Sequence, residues 1–532
     1  MKKWLVCFLI GLLAVTGCGN EAEIDVQPSQ EKIEVENKAE DGQADIDTAE
    51  KLPEVNSIQL YKDYIAYEEW GDVSVVCSSK RDVLKIIGEE LETYPRLNNA
   101  LETIGAEAAE QMSLFMADNT EYAMEEEENE YFNGYKDDSK MYVQRADDVI
   151  VSVKENAYQY TGGAHPMYAM SGLNIDPVTG EQLFITDVVT DFSKLVNVLN
   201  DKLIEKYGEE TFYSVPEELL CEYTPEQFSW TMGYQGITFY FSPYELAPYA
   251  AGTQVVTLWF NEAEEWIDKK YMAAPVGGYV AELPMNEEVH VDLNVEDSKE
   301  DVLTIGRNFV EEEVFQLSVS INDETYCSEE TFYYGEMDVS LACIPYGEKD
   351  RFYLYVKFTI ETTDLYIYEL TKDGIKFQGS LENVRMPGVV LEQWDAYNQT
   401  QAYMEQILTN PSEFTMISRM YLMGFMDGTK TYSADSEDGI PKSSADYYEL
   451  PEDFAVLTSK RALEVEILPE KKIETVKEDT EFVYLRTDNK TYIDFRMDDG
   501  RECRVHFEED SWGKTINGNL PEECFEGIPM YF

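Results

Sequence analysis

The sequence predicts an α+β fold: a mixed helix-and-sheet N-terminal region, then a β-rich C-terminal region that ends in a small SH3-like barrel. Three observations predict it. A helical stripe runs through residues 81–119, between stretches that alternate apolar and polar residues. The run RFYLYVKFTIETTDLYIYELTKDGIKF alternates on both sides of a short polar break, as antiparallel strands do. Aromatic residues make up 13 % of the chain, enough for sizeable cores and weighted toward sheet.

The N-terminus reads as an export signal. Lys2 and Lys3 give it a positive end, and WLVCFLIGLLAV from Trp4 to Val15 is its apolar core. A membrane span needs about 20 such residues, so this shorter run fits a signal peptide over residues 1–17. Val15-Thr16-Gly17-Cys18 resembles the bacterial lipobox. The expected processing is diacylglyceryl transfer to the Cys18 thiol, then cleavage of the Gly17–Cys18 bond. A plain secretory signal with a chance cysteine is the alternative. Residues 18–52 contain no aromatic side chain and many acids. Such a segment buries too little apolar surface to offset its ordering entropy, so it reads as a disordered tether. The remainder is expected at the outer face of the bacterial cytoplasmic membrane, attached through the Cys18 lipid alone.

Beyond the tether the chain is long enough for about two to four domains. Its 106 acidic against 41 basic residues give a formal charge of −65. Nucleic-acid phosphates would be repelled, as would anionic lipid and teichoic acid, whereas basic partners or cations are favoured. Solubility alone also accounts for such a surface. Besides Cys7 and Cys18 the chain holds Cys77, Cys221, Cys327, Cys343, Cys503 and Cys524. Export permits disulfides, and Cys327 with Cys343 or Cys503 with Cys524 are conceivable pairs. Buried free thiols fit equally well, and a chain of this size needs no staples.

Residues 57–80 alternate as strands. From Arg81 to about Asn119 the residues Leu84, Ile87, Leu91, Leu97, Leu101 and Ile104 form a helical stripe, broken at Tyr94-Pro95. The acidic run Glu125–Glu128 is a solvated helix face or loop. MYVQRADDVIVSVKENAYQYTGG reads as a hairpin turning near Asp147-Asp148. YQYTGGAHP then leads through a Gly-rich turn into SGLNIDPVTGEQLFITDVV: a strand, a turn at Asp176–Gly180 and a short strand. FSKLVNVLNDKLIEKYG is an amphipathic helix. GITFYFSPYELAPYAAGTQVVTLWFNEAEEWI is a strand, a proline-interrupted tyrosine corner and another strand.

Three of these motifs carry a family resemblance. YTGGAHP, the N-x-D-x-x-T-G-E-x-L hairpin from Asn174 to Leu183, and FYFSPYELAPYAAG together resemble the RsiV C-terminal domain. The elements around Tyr94-Pro95 and Leu97-Asn98 resemble the PdaC domain that usually precedes it. The resemblance spans about residues 55–268, as a PdaC-like domain over 53–155 and an RsiV C-terminal-like domain over 156–272. It implies an α+β ectodomain. In the anti-sigma factor RsiV this pair binds lysozyme, and it also stands before the catalytic domain of the deacetylase PdaC. The membrane anchor and sigma-binding segment of RsiV have no counterpart here, so an anti-sigma role is not implied.

Taken by themselves, the motif residues are mainly structural. Gly162 and Gly163 permit backbone angles closed to other residues. His165, before Pro166, suits a turn or core position better than catalysis. Tyr240, Tyr244 and Tyr249 read as packing residues, although tyrosine is also favoured at interfaces. Tyr160, Gly162, Gly163, His165, Tyr244 and Tyr249 are the candidate ligand-binding residues.

Past Tyr271 the resemblance ends. Residues 285–425 read as a β-rich domain, a meander turning at Thr362-Thr363-Asp364 and Lys372-Asp373-Gly374, with a helix from Trp394 to Leu408. Residues 426–450 are polar and read as a loop or boundary. Residues 451–532 show short strands with turns at Thr487-Asp488-Asn489 and Asp499-Gly500, the basis for the barrel.

No catalytic motif stands out. His165, His290 and His506 are scattered, without metal spacing. No nucleophile elbow, P-loop or dinucleotide fingerprint occurs, and the metal-dependent deacetylase elements are missing. DSEDG at Asp435–Gly439 departs from the calcium-loop pattern. The preferred expectation is a binding module without catalysis or cofactor, taking a cationic muramidase such as lysozyme or peptidoglycan fragments. The alternative is an envelope enzyme acting on peptidoglycan or another glycan with an Asp/Glu acid–base pair.

Overall fold

The computed structural model describes residues 52–129, 131–293, 300–347, 349–391, 402–451, 455–510 and 513–529. The signal peptide, Cys18, nearly all of the tether and the first part of the helix expected from Trp394 lie outside the described residues.

The expected strands form a hairpin of β1 (Tyr61–Trp70) and β2 (Val75–Lys85). β2 runs on through Arg81–Lys85, where the stripe predicts helix, because Val83 and Leu84 bury as strand residues. α1 (Glu89–Thr93) and α2 (Pro95–Glu126) part at Tyr94-Pro95 as expected. The proline sits in the first turn of α2, where its missing N–H is no loss. α2 buries Leu97, Ala100, Leu101, Met112 and Phe115. As a crossover it lets β3 (Tyr135–Ala146) pair parallel with β2. β4 (Val151–Tyr160) and β5 (Met167–Ile175) follow antiparallel. The β3–β4 turn is held by Asp147, whose carboxylate accepts from the N–H groups of Val149 and Ile150 at 2.9 and 3.0 Å.

After β5 the turn at Asp176–Gly180 forms as expected, with Asp176 accepting from Val178 and Thr179. The short strand expected next is reduced to one bridge, Ile175 to Gln182, and the chain enters α3 (Ile185–Val188). α4 (Phe192–Tyr207) buries Leu195, Val196, Leu199 and Leu203 in a core shared with β6 (Ser229–Met232), β7 (Gly236–Phe241) and β8 (Gln254–Trp259).

The meander builds two sheets. One holds β10 (Glu288–Val291), β11 (Asp301–Phe309), β12 (Phe315–Ile321) and β13 (Glu324–Cys327). The other holds β9 (Tyr279–Leu283), β14 (Glu336–Tyr346), β15 (Lys349–Thr359), β16 (Thr363–Thr371) and β17 (Gly374–Leu381). They share a core of Leu317, Val319, Leu341, Leu354 and Val356. The other face of β15 is buried too: Tyr353 and Tyr355 pack with Phe414 and Met416.

Three expectations for the C-terminal half are corrected. Ala402–Gln406, inside the expected Trp394–Leu408 helix, is a strand; with Gly388–Leu391 it extends the first sheet beyond β1. Met426–Tyr432 and Tyr448–Glu449, inside the expected loop, are strands as well. Last, no closed barrel forms among the described residues. The strands Glu481–Thr487, Tyr492–Met497 and Glu502–His506 turn where expected, but they join an open sheet with Phe414–Met420 and Met426–Tyr432. The edge at Glu481–Thr487 is instead extended by Tyr448–Glu449 and, beyond it, Met426–Tyr432, both from earlier in the chain. Cys77, Cys221, Cys327, Cys343, Cys503 and Cys524 are all free thiols, so neither conceived disulfide is present. No helix among the described residues is long and apolar enough to cross a membrane.

Candidate functional site

The period-two geometry of a strand puts every second side chain on one face. α2 covers the face of the first sheet that carries Cys77, Ser79, Asp137 and Met141. The opposite face carries Lys80, Lys136, Asp138, Lys140, Tyr158 and Tyr168. Register then aligns four of these across four strands: Lys80 lies opposite Asp138, Asp138 opposite Tyr158, and Tyr158 opposite Tyr168. The Tyr158 and Tyr168 rings meet edge-on, with centroids 5.5 Å apart.

The tyrosine corner between β7 and β8 continues this row past the edge strand β5. Ser242 Oγ accepts from Met170 N at 3.0 Å and ties the corner to β5. Tyr244 takes a positive φ of 74°, and its N–H donates to Ala247 O at 2.9 Å, so the chain folds back. Tyr249 thereby lies 6.4 Å from Tyr168, 5.7 Å from Tyr244 and only 3.8 Å from His165, with which it stacks. The Gly-rich turn delivers His165: Gly162 and Gly163 have φ of 90° and 97°, which a side chain would strain. The Tyr160 hydroxyl donates to Gly163 O at 3.2 Å, and the Tyr249 hydroxyl donates to Pro166 O at 2.8 Å.

Five of the six candidate residues thus serve one surface, with Gly162 and Gly163 shaping it and His165, Tyr244 and Tyr249 forming it. Tyr160 braces the turn. His165 lies in the Gly-rich turn, one of the two structural positions expected for it, and is exposed and stacked on Tyr249 rather than in the core. Tyr244 is 50 % exposed and Tyr168 is 45 % exposed, whereas Tyr240 is the packing residue expected, buried with its hydroxyl 2.9 Å from Thr231 Oγ1.

Residue-by-residue reading missed Tyr158, Tyr168, Lys80, Lys136, Asp138 and Lys140. One signal was available: residues 156–175 contain no Asp, Glu, Lys or Arg, in a chain where 28 % of residues are charged. Beside this stretch, Asp138 is raised from its ordinary pKa by burial, against the pull of Lys80, Lys136 and Lys140. One of its oxygens, Oδ1, is buried with no hydrogen-bond partner.

A second cluster holds the surface in place. Arg145 and Asp147 are both fully buried and paired at 2.7 Å. The guanidinium also donates to Tyr271 O at 2.6 Å and Ala273 O at 3.1 Å, and lies 4.7 Å from the Tyr234 ring. It joins β3 to the segments around β6 and β9. DSEDG is a turn in which Asp438 accepts from Ser436 and Lys442, lowering its pKa to about 2. Among the described residues no group of three His, Cys, Asp or Glu side chains is arranged to hold a metal ion.

Comparison with known proteins finds two family matches in the first half of the chain. Residues 77–168 match the family model described as deacetylase PdaC, and residues 184–261 match a protein family of unknown function, DUF3298. A crystal structure of a DUF3298 family member from Bacteroides fragilis is 20 % identical and covers 40 % of this chain and 93 % of its own, with a TM-score of 0.31. A DUF3298 family protein from Pseudomonas aeruginosa is 15 % identical and covers 42 % and 98 %, with a TM-score of 0.29. No curated protein matches the chain. The chain therefore carries a PdaC deacetylase-like domain followed by a DUF3298 domain, and the aromatic row is built from both.

Proposed function

We propose that this chain is an extracytoplasmic binding module of the bacterial envelope, anchored through lipid on Cys18, with the aromatic row as its contact surface. The two matched domains suggest an extracellular or envelope protein. The lipobox-like sequence at Val15–Cys18 and the acidic tether support display outside the membrane. The observation that carries the reading is the row itself. Exposed rings of Tyr168, Tyr244 and His165, with the half-buried Tyr249 among them, form a continuous patch next to a stretch free of acids, on a chain with 106 of them. Exposed aromatic side chains held in fixed positions are the residues that dominate binding energy at interfaces.

The ligands tested first are a cationic muramidase such as lysozyme and solubilised peptidoglycan fragments. The net charge of −65 favours the first by long-range attraction, and the aromatic faces suit the second. The test is calorimetric titration of the chain from residue 18 onward, produced without lipid, with each ligand. Saturable binding to at least one is expected, weakened tenfold or more by Tyr168→Ala or Tyr249→Ala. Binding of neither at micromolar concentration, or binding indifferent to both substitutions, rejects the reading. Cleaved fragments accumulating in the peptidoglycan arm would replace it with the acid–base enzyme.

A further inference from the structure

We infer that the loop end of the meander is a second docking surface, whose partner is a protein segment carrying lysine or arginine beside apolar side chains. The surface lies outside both matched domains and does not depend on the aromatic row. Along β11 the inward-facing positions are Leu303, Ile305, Arg307 and Phe309. Leu303 and Ile305 are buried between the two sheets of the meander, but at Arg307 the core ends. The Arg307 guanidinium lies 4.5 Å from the Phe315 ring and donates to Gly335 O at 3.0 Å. Phe309 projects past it, 61 % exposed, with its ring 5.7 Å from that of Phe315. Three loops meet here. Phe315 and Phe332 exchange backbone hydrogen bonds of 2.9 and 2.7 Å, which hold the loop before β14 beside the β11–β12 turn. A Cβ on Gly335 would come within 2.8 Å of Thr359 O, so the same loop also presses on the β15–β16 turn. Tyr333 and Tyr334 lie between these two anchors and are 60 and 67 % exposed. Val310 and Ile360 are exposed as well.

Exposed apolar groups gathered inside a charged rim mark an interaction site rather than ordinary surface. The rim has one sign. Glu311, Glu312, Glu313, Glu329, Glu336 and Glu361 are all exposed on the three loops. Residues 308–316, 328–338 and 358–365 contain no lysine or arginine. Arg307, at the base of the loops, is engaged with Gly335 O and the Phe315 ring. The apolar part selects for charge in the same direction, because the faces of tyrosine and phenylalanine attract cations. A partner that fits therefore presents apolar side chains to Phe309, Val310, Tyr333, Tyr334 and Ile360, with basic residues around them for the glutamates. Aromatic anchors held in place supply most of the affinity at such an interface, and the charges set the encounter rate and the sign of the partner. Anionic lipid is repelled by the rim, and the acid-rich tether has the wrong charge to cover it.

The test uses the unlipidated chain from residue 18 onward and a fluorescent amphipathic peptide of lysine and leucine, followed by anisotropy. Two analogues replace all its lysines by glutamine or all its leucines by serine. The parent peptide is expected to bind at least tenfold more tightly than either, and its advantage over the glutamine analogue should shrink as salt rises. Phe309→Ser with Tyr334→Ser should weaken its binding tenfold or more, as should Glu311→Gln, Glu312→Gln and Glu313→Gln together. The same change of charge at the end of α2, by Glu121→Gln, Glu125→Gln and Glu128→Gln, should leave it unchanged. All these side chains are exposed, and an unchanged melting temperature shows that each variant is folded. Equal binding of the serine analogue, indifference to Phe309 and Tyr334, or an equal loss in the α2 variant overturns the inference, because diffuse attraction to an acidic chain then accounts for the binding. Equal binding of the glutamine analogue overturns the cationic partner. Attachment to phosphatidylglycerol vesicles that depends on Phe309 and Tyr334 puts a membrane in place of the protein partner and overturns the inference too. No saturable binding of the parent peptide at micromolar concentration does the same.

Discussion

Arg145 and Asp147 show how one buried pair decides whether two domains act as one. With both side chains fully buried, removal of the arginine would strand a carboxylate in an apolar interior and leave the carbonyls of Tyr271 and Ala273 without their donor. Breaking such a pair costs about 3–5 kcal/mol, far more than the pair is worth against an apolar replacement. Arg145→Ala is therefore expected to lower stability by about that amount in a urea titration, and Arg145→Met by less. A loss below about 1 kcal/mol for Arg145→Ala would mean that the pair is not the joint. Little of this was visible beforehand: Asp147-Asp148 announced a turn, but nothing local marks Arg145 as buried. The aromatic site divides the same way. The Gly162-Gly163 turn and the tyrosine corner stood out in the sequence, whereas Tyr158 and Tyr168 became functional candidates only through register.

At the scale of elements, the decisive contact is between β5 and β6. A Cβ on Gly172 would come within 1.6 Å of Trp230 O, so the two strands approach as closely as they do only because position 172 has no side chain. Asn174 adds a hydrogen bond, donating to the same carbonyl at 2.8 Å. Gly172→Ala is expected to destabilise the chain by about 1–3 kcal/mol through overpacking. It should also shift the corner that carries Tyr244 and Tyr249, seen as altered tyrosine near-ultraviolet dichroism. Unchanged stability and an unchanged spectrum in the Gly172→Ala protein would contradict that role. Helices such as α4 were legible from their own stripes, and the Tyr94-Pro95 break was legible from one dipeptide. The strand at Ala402–Gln406 was not, because five residues of mixed polarity carry no period strong enough to separate strand from helix.

Over the whole molecule, the meander docks on the first half through few but specific polar contacts. Glu282 pairs with Lys62 at 2.6 Å and accepts from Val143 N at 2.9 Å. Lys206 donates to Glu288 at 2.8 Å and lies 3.1 Å from His290 Nε2. His290 and then Lys206 hold the Glu288 carboxyl down to about 2, against an ordinary value of 4.5. A depressed carboxylate contributes stability that is present above the unfolded pKa and is lost as pH falls through the folded one. The loss belongs between pH 4.5 and about 2. Glu288 is half exposed, so solvent screening holds the contribution to about 1 kcal/mol or less. Glu288→Gln should flatten that part of the stability profile, read as the urea midpoint at pH 6 and pH 3. An acid limb identical in the two proteins would place the loss at other carboxylates.

By itself the sequence determined whatever depends on neighbours within a few residues. It supplied the α+β class, the turns at Asp147, Asp176 and Gly500, the amphipathic α4, and the composition of the tyrosine corner. Each is set by backbone preference or by a short hydrophobic period. The tertiary structure alone decided which strands became neighbours. It aligned Lys80, Asp138, Tyr158 and Tyr168 across four strands, carried Ala402–Gln406 back to β1, and opened the expected barrel into a wider sheet. Those outcomes turn on pairing between distant segments, where many strands offer similar hydrogen bonds and only the packing of the whole core selects among them.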